Sequence, residues 1–129
     1  MRGYRVCKTF RFEAAHCLPN HDGKCRREHG HSYRVEVVLF GNELNAEGPK
    51  TGMLIDFGDV KKAAKGIVDT HDHALLNGLP EYKAAPPTAE VIARNIHSTL
   101  SALIDGAGVV VERVRVYETQ DCWAEWSRI

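Results

Sequence analysis

Hydrophobic and polar positions alternate from Arg5 to His16, where Val6, Phe10, Phe12, Ala14 and His16 share a parity that only Lys8 interrupts. That alternation predicts a strand with one buried face, and His16 ends the face. A second alternation runs from His31 to Phe40, with Tyr33, Val35, Val37 and Leu39 interleaved with Ser32, Arg34 and Glu36. It predicts a second half-buried strand opened by His31, and His29 shares the same parity. The stretch 41–52 (GNELNAEGPKTG) is rich in Gly, Asn and Pro and reads as a loop.

The period then becomes helical. Asp56 is placed to cap a helix carrying Phe57, Val60, Ala64, Ile67 and His71, with a stop expected near Asn77-Gly78. After the proline-containing segment 80–87, Thr88 is placed to cap a second helix with Ile92, Ile96, Leu100 and Leu103 on one side, ended by Gly106 and Gly108. The β-branched run Val109 to Thr119 predicts a strand with Val110, Val114, Val116 and Glu118 on one parity, and a short strand from Trp123 to Ser127 pairs with it.

The order ββααββ predicts an α+β fold, with two helices on one face of an antiparallel four-stranded sheet. The 129 residues suit one domain spanning 1–129. Two open sheet edges in so small a fold predict a symmetric oligomer that pairs them.

Composition narrows the class. Seventeen basic residues balance 17 acidic ones, so neither a nucleic acid nor an anionic membrane is expected as partner, and a small molecule is. No apolar run approaches the roughly 18 residues of a membrane span, and the opening Met-Arg-Gly-Tyr-Arg lacks a signal-like apolar segment, so a cytoplasmic location is expected. Cys7, Cys17, Cys25 and Cys122 include no C-x-x-C pair, and free thiols follow from that location.

Candidate chemistry concentrates in Cys25-Arg26-Arg27-Glu28-His29-Gly30-His31. Histidines at i and i+2 of an extended chain point the same way, and a hairpin brings His16 to that face. Three imidazoles with an open fourth position suit a catalytic zinc ion, whereas Cys25 as a fourth ligand would make a closed structural site. Spacing alone leaves both readings open. In Asp69-Thr70-His71-Asp72-His73 a carboxylate could orient an imidazole for proton transfer, although adjacent side chains ordinarily diverge. His71 continues the apolar stripe of the first helix and reads as a packing residue, and a His-Asp-His run is more often a helix-end cap than a catalytic unit. Glu118 ends a valine-rich face, where a ligand with two parallel N–H donors would suit it. It reads alternatively as solvated or paired with Arg115.

Six segments in order carry a resemblance: Phe12-Glu13-Ala14-Ala15-His16, Cys25-x-x-x-His29-Gly30-His31, Gly52-Met53-Leu54-Ile55-Asp56-Phe57, Asp72-His73-x-x-Leu76-Asn77, Pro87-Thr88-x-Glu90 and Val116-Tyr117-Glu118-Thr119. Over nearly its whole length the chain resembles the 6-pyruvoyl-tetrahydropterin synthase and 6-carboxytetrahydropterin synthase family. The resemblance implies the tunnelling fold, in which sheets of neighbouring subunits join into a barrel, as a homohexamer of two stacked trimers. It also implies Zn2+ on His16, His29 and His31, Cys25 as catalytic acid or base, and Asp72 with His73 as its partners. Glu118 would anchor the pterin ring, with Thr88 and Glu90 contributing to the pocket at a subunit interface.

The short Cys-x-x-x-His-Gly-His spacing resembles the bacterial 6-carboxytetrahydropterin synthase branch, which serves queuosine and deazapurine pathways. That branch implies a carbon–carbon and carbon–oxygen lyase. Its reaction turns 7,8-dihydroneopterin triphosphate into 6-carboxy-5,6,7,8-tetrahydropterin, acetaldehyde and triphosphate. Formation of a 6-pyruvoyl product and a non-catalytic, zinc-stabilised pterin-binding module are the alternatives. Lys24, Arg26 and Arg27 either face the triphosphate or are solvated. His71 and the tail Asp121-Cys122-Trp123-Ala124-Glu125-Trp126 depart from the family pattern, and Cys7, Cys17 and Cys122 match no catalytic position.

Overall fold

In the computed structural model, which describes residues 2–106 and 108–128, two 13-residue strands, β1 (Tyr4–His16) and β2 (His29–Gly41), form the middle of the sheet. They pair antiparallel from Tyr4 opposite Gly41 to His16 opposite His29. The two apolar parities fix this register, since a slip by one residue would turn either set of side chains to the wrong face. Phe12 therefore stands opposite Tyr33, and Ala14 opposite His31.

Helices α1 (Phe57–His71) and α2 (Ala89–Ile104) join one core with that face. Asp56 caps α1 by accepting from Gly58 N at 2.8 Å, and Thr88 caps α2 by accepting from Val91 N at 3.1 Å. Strand β4 (Val110–Tyr117) pairs antiparallel with β2, and β5 (Trp123–Ser127) pairs antiparallel with β4.

The sheet departs from the expected four antiparallel strands. Helix α1 ends at His71 instead of near Gly78, and the chain then forms β3 (Ala74–Leu75), parallel to β1. The result is a mixed five-stranded sheet of order β3-β1-β2-β4-β5, with elements in the order ββαβαββ. Unpaired backbone groups on the edge of β1 explain the early stop. Glu13 N donates to Asp72 Oδ1 at 2.9 Å, and His73 N donates to Glu13 O. These bonds draw the chain along β1 while His73 takes a left-handed φ of 60°. Two residues of pairing leave no period for a sequence pattern to reveal.

The β4 parity is also broken. The register shifts between Val38 and Leu39, opposite which β4 carries the additional residue Glu112. Val111, and not Val110, joins Val114 and Val116 in the core. Glu112 is buried there because Arg5 Nε donates to both its carboxylate oxygens, at 2.9 and 3.0 Å. On the helices, Ile92, Ile96 and Leu100 are buried as expected, whereas Phe57 and Leu103 are exposed at the two ends of the covered stripe.

Candidate metal centre

The hairpin register brings three imidazoles to one end of the sheet. His16 ends β1 and is 1% exposed, while His29 and His31 open β2 and are half-buried. One nitrogen from each lies within 4.8 Å of the others, and the group does not include the Cys25 thiol.

Two backbone carbonyls orient the set. His16 Nδ1 lies 2.7 Å from Pro87 O, and His29 Nδ1 lies 2.8 Å from Arg27 O. A carbonyl only accepts, so each Nδ1 carries the proton and each Nε2 presents a bare lone pair. Those two Nε2 atoms are only 3.0 Å apart. Facing lone pairs at that distance call for a cation, and carbonyl-braced imidazoles are its usual holders. His31 Nε2 is buried without a hydrogen-bond partner, and burial pushes the His31 pKa below its ordinary value despite the opposing influence of Glu118. A neutral ring with a free lone pair is what a ligand must be. The three residues therefore fit a divalent ion.

Glu118 follows the last residue of β4, where its N–H donates to Cys122 O at 3.0 Å and closes the turn to β5. Its Oε2 lies 3.4 Å from His16 Nε2 and 3.6 Å from His31 Nε2. Glu118 thus borders His16 and His31 without entering the three-imidazole group, and neither the solvated reading nor the Arg115 pair describes it. Arg115 instead donates to Glu125 at 2.9 Å and lies over the Trp123 ring.

Cys25 occupies a one-turn 3₁₀ segment, Lys24–Arg26, in the connection between β1 and β2, and is half-buried. The connection folds back at Leu18 N, which donates to Cys25 O at 2.9 Å. Lys24, Arg26 and Arg27 are exposed on it.

Asp72 and His73 form a second cluster. The left-handed backbone at His73 brings its Nδ1 to 3.1 Å from Asp72 Oδ2, so these neighbours pair although adjacent side chains ordinarily diverge. The amide of Glu13 holds the Asp72 carboxyl below its usual pKa, aided by His73. His73 is 80% exposed and borders a cleft with Glu13, Ser32 and Leu75. Among the described residues, no hydrogen bond or ion pair joins this cluster to the imidazoles. Thr88 caps α2 next to Pro87, and Glu90 is exposed in the first turn.

His71 is a packing residue here. It is 2% exposed, donates from Nδ1 to Ile67 O at 2.9 Å and accepts at Nε2 from Tyr82 Oη at 2.7 Å.

Several supporting groups were not among the expected site residues. Asn77 brackets Cys17, donating to its carbonyl at 2.8 Å and accepting from its amide at 2.9 Å, and so pins the chain as it leaves His16. The carbonyls of Pro87 and Arg27 carry no signal in their side chains. Tyr33 read only as a core position, but its fully buried hydroxyl has no hydrogen-bond partner and its ring lies edge-on to both His16 and His31.

Residues 5–128 match the family model described as 6-pyruvoyl tetrahydropterin synthase. The chain is 41% identical over 116 residues to 6-carboxy-5,6,7,8-tetrahydropterin synthase of Synechocystis, covering 88% of this chain and 85% of that protein. It is 33% identical over 143 aligned residues to the protein of that name from Haemophilus influenzae, covering 96% and 99%. Among solved structures, the 6-pyruvoyl tetrahydropterin synthase of Caenorhabditis elegans superposes with a TM-score of 0.85 at 26% identity, covering 100% of this chain and 98% of that one.

Proposed function

The chain belongs to the 6-pyruvoyl tetrahydropterin synthase family, and on that premise we propose that it is a zinc enzyme converting 7,8-dihydroneopterin triphosphate to 6-carboxy-5,6,7,8-tetrahydropterin, with release of acetaldehyde and triphosphate. Queuosine or related deazapurine biosynthesis is the matching context. The relatives from Synechocystis and Haemophilus influenzae, named for the carboxy product, support the choice of outcome. The single observation that carries the metal is the pair of bare Nε2 atoms of His16 and His29 facing each other at 3.0 Å.

A zinc ion held by His16, His29 and His31 would act as a Lewis acid toward the side-chain oxygens of the substrate. Glu118 grips the pterin, because a carboxylate accepts two parallel N–H bonds from an aminopyrimidinone edge as it does from a guanidinium. Cys25 moves protons at the substrate side chain, and Asp72 orients His73 for a second transfer. Burial of His16 and its bond to Pro87 O keep the ligand set fixed while the substrate changes.

The exposed position of His73 supports a site completed between copies of the chain. Among the described residues, β1 has no strand neighbour from Tyr4 to Glu13 beyond β2, and β5 pairs only with β4. Joining such edges would build a barrel, and a homohexamer of two trimers would bring Thr88 and Glu90 to a subunit boundary. A small-molecule substrate in the cytoplasm, without nucleic acid or membrane, accords with the balanced charge. No helix among the described residues is long and apolar enough to cross a membrane.

The test is turnover of dihydroneopterin triphosphate by the zinc-loaded protein and by Cys25→Ala. Loss of turnover with zinc retained is expected. Loss of zinc with the thiol would make Cys25 a ligand of a closed site.

A further inference from the structure

A buried donor and a carboxylate beside the imidazoles both lack a hydrogen-bond partner, and the two are neighbours. Tyr33 is fully buried, and its hydroxyl has no partner. Among the described residues no hydrogen bond ends on the Glu118 carboxylate, whose recorded side-chain neighbours are His16 Nε2 at 3.4 Å and His31 Nε2 at 3.6 Å. In the neutral rings of a metal-binding set those nitrogens offer lone pairs and no proton.

Strand register puts the donor next to the acceptor. Val35 pairs with Val116 and Arg34 with Tyr117 at the end of the β2–β4 ladder, and Tyr33 and Glu118 stand one step further on, at the parity of those valines. The Tyr33 ring is edge-on to His16 and His31, at centroid distances of 5.9 and 5.4 Å, so it borders the same two imidazoles as the carboxylate. Phe12 stacks on the ring at 5.1 Å and offers no acceptor. Burial first, and then the charge of Glu118, push the phenol pKa up, so the hydroxyl remains a donor.

We propose that Tyr33 is a positioning residue for the pterin anchor: with a pterin bound, its hydroxyl donates to the Glu118 carboxylate. This rests on the reading of Glu118 as that anchor and names the residue that aims it. An ionised carboxylate has room for about four donors. The two parallel N–H groups of an aminopyrimidinone edge take one lone pair on each oxygen and leave others for Tyr33. A bond from a hydroxyl to an ionised carboxylate is about twice as strong as one between neutral groups, so it fixes the rotation of the anchor. The hydroxyl, unpaired in the free protein, gains its acceptor when the ligand holds the carboxylate in place, and that pairing adds to the affinity for the ring. No proton changes owner.

Biopterin, which carries the pterin ring and has no triphosphate to eliminate, is the probe, with zinc-loaded, full-length wild type, Tyr33→Phe, Glu118→Gln and the double variant. Titration calorimetry should show Tyr33→Phe weakening biopterin binding by about 10-fold, the loss of one hydrogen bond to a charged group, with zinc stoichiometry unchanged. In the Glu118→Gln background, where the acceptor is neutral, the same replacement should cost about 3-fold or less. Proton NMR should show a downfield hydroxyl resonance that appears in wild type on adding biopterin and is absent from Tyr33→Phe. Equal biopterin affinity in wild type and Tyr33→Phe, or no new resonance at saturating biopterin, would overturn the proposal while leaving Glu118 as the anchor. A loss of equal size in both Glu118 backgrounds would put the hydroxyl on another acceptor and overturn it as well. Failure of wild type to bind biopterin would instead remove the anchor reading on which the proposal rests.

Discussion

His16 and Pro87 are 71 positions apart in the chain, yet the His16 Nδ1–H donates to the Pro87 carbonyl at 2.7 Å. The residue before the α2 cap thereby sets the tautomer of the most buried ligand of the proposed metal centre. His29, braced by Arg27 O, presents the matching nitrogen. Replacing half-buried His29 avoids the core disruption that loss of buried His16 would bring. In His29→Ala the zinc affinity is expected to fall by at least about 10-fold, with the thermal transition of the metal-free protein little changed. Elemental analysis and calorimetry check the two halves; unaltered zinc stoichiometry would remove His29 from the ligand set.

Tyr33 is expected to show opposite effects with and without ligand. Its buried hydroxyl has no partner, and burial pushes the phenol pKa far above its ordinary value, so it remains a proton donor in search of an acceptor. Leaving such a group unpaired costs about 1–3 kcal/mol, so Tyr33→Phe should stabilise the metal-free, ligand-free protein by about 1 kcal/mol. If the loaded site supplies an acceptor, biopterin should stabilise the variant less than it stabilises wild type. Denaturant titrations with and without biopterin measure both quantities. A destabilised free variant would show that the hydroxyl already has a partner.

Acid sensitivity is expected from two histidines outside the proposed metal centre. Burial is the main cause that lowers the pKa of His71, opposed by its bond to Ile67 O, and burial likewise lowers that of His97, opposed by its bond to Val111 O. Both then take up a proton more readily in the unfolded chain. Stability is complete above the ordinary value of 6.5 and falls as the pH drops through that value toward the lower folded-state pKa. The melting temperature of metal-free protein should therefore decrease between pH 7 and pH 5 (roughly the range in which histidine titrates). In a His71→Gln variant the decrease should be shallower, although its neutral-pH stability is lower because the bond to Tyr82 is altered. An equal slope in wild type and variant would remove His71 as a source.

Much of this was legible in the sequence because the strands are long and one-sided. The parities of residues 6–16 and 31–39 fixed both the buried face and the side on which His16, His29 and His31 meet. Glu118 shared the parity of the core valines and accordingly arrived at the same cluster. What escaped were features without side-chain periodicity. Strand β3 is two residues long and exists because Glu13 offers free backbone groups to residues 72 and 73. The extra residue at Glu112 broke the β4 parity, with Arg5 making its burial tolerable. The Pro87 and Arg27 carbonyls belong to the backbone, which sequence types do not distinguish.

Asn77 offers a test of how the loop bearing Cys25 is held. Its side-chain amide satisfies both backbone groups of Cys17, directly after His16. Asn77→Ala removes both bonds, and at about 1 kcal/mol each the protein should lose roughly 2 kcal/mol of stability. Turnover should fall while zinc stoichiometry is kept, because the bracket supports the connection and supplies no ligand. Zinc analysis beside steady-state kinetics reads this out, and full activity in a destabilised Asn77→Ala would confine Asn77 to the fold.

Product identity tests the central claim most directly. Zinc-loaded protein is incubated with 7,8-dihydroneopterin triphosphate, and mass spectrometry identifies the pterin, the two-carbon product and the released phosphate. The account predicts 6-carboxy-5,6,7,8-tetrahydropterin with equimolar acetaldehyde and triphosphate. A 6-pyruvoyl pterin without acetaldehyde, or bound substrate recovered unchanged from zinc-loaded protein, would contradict it.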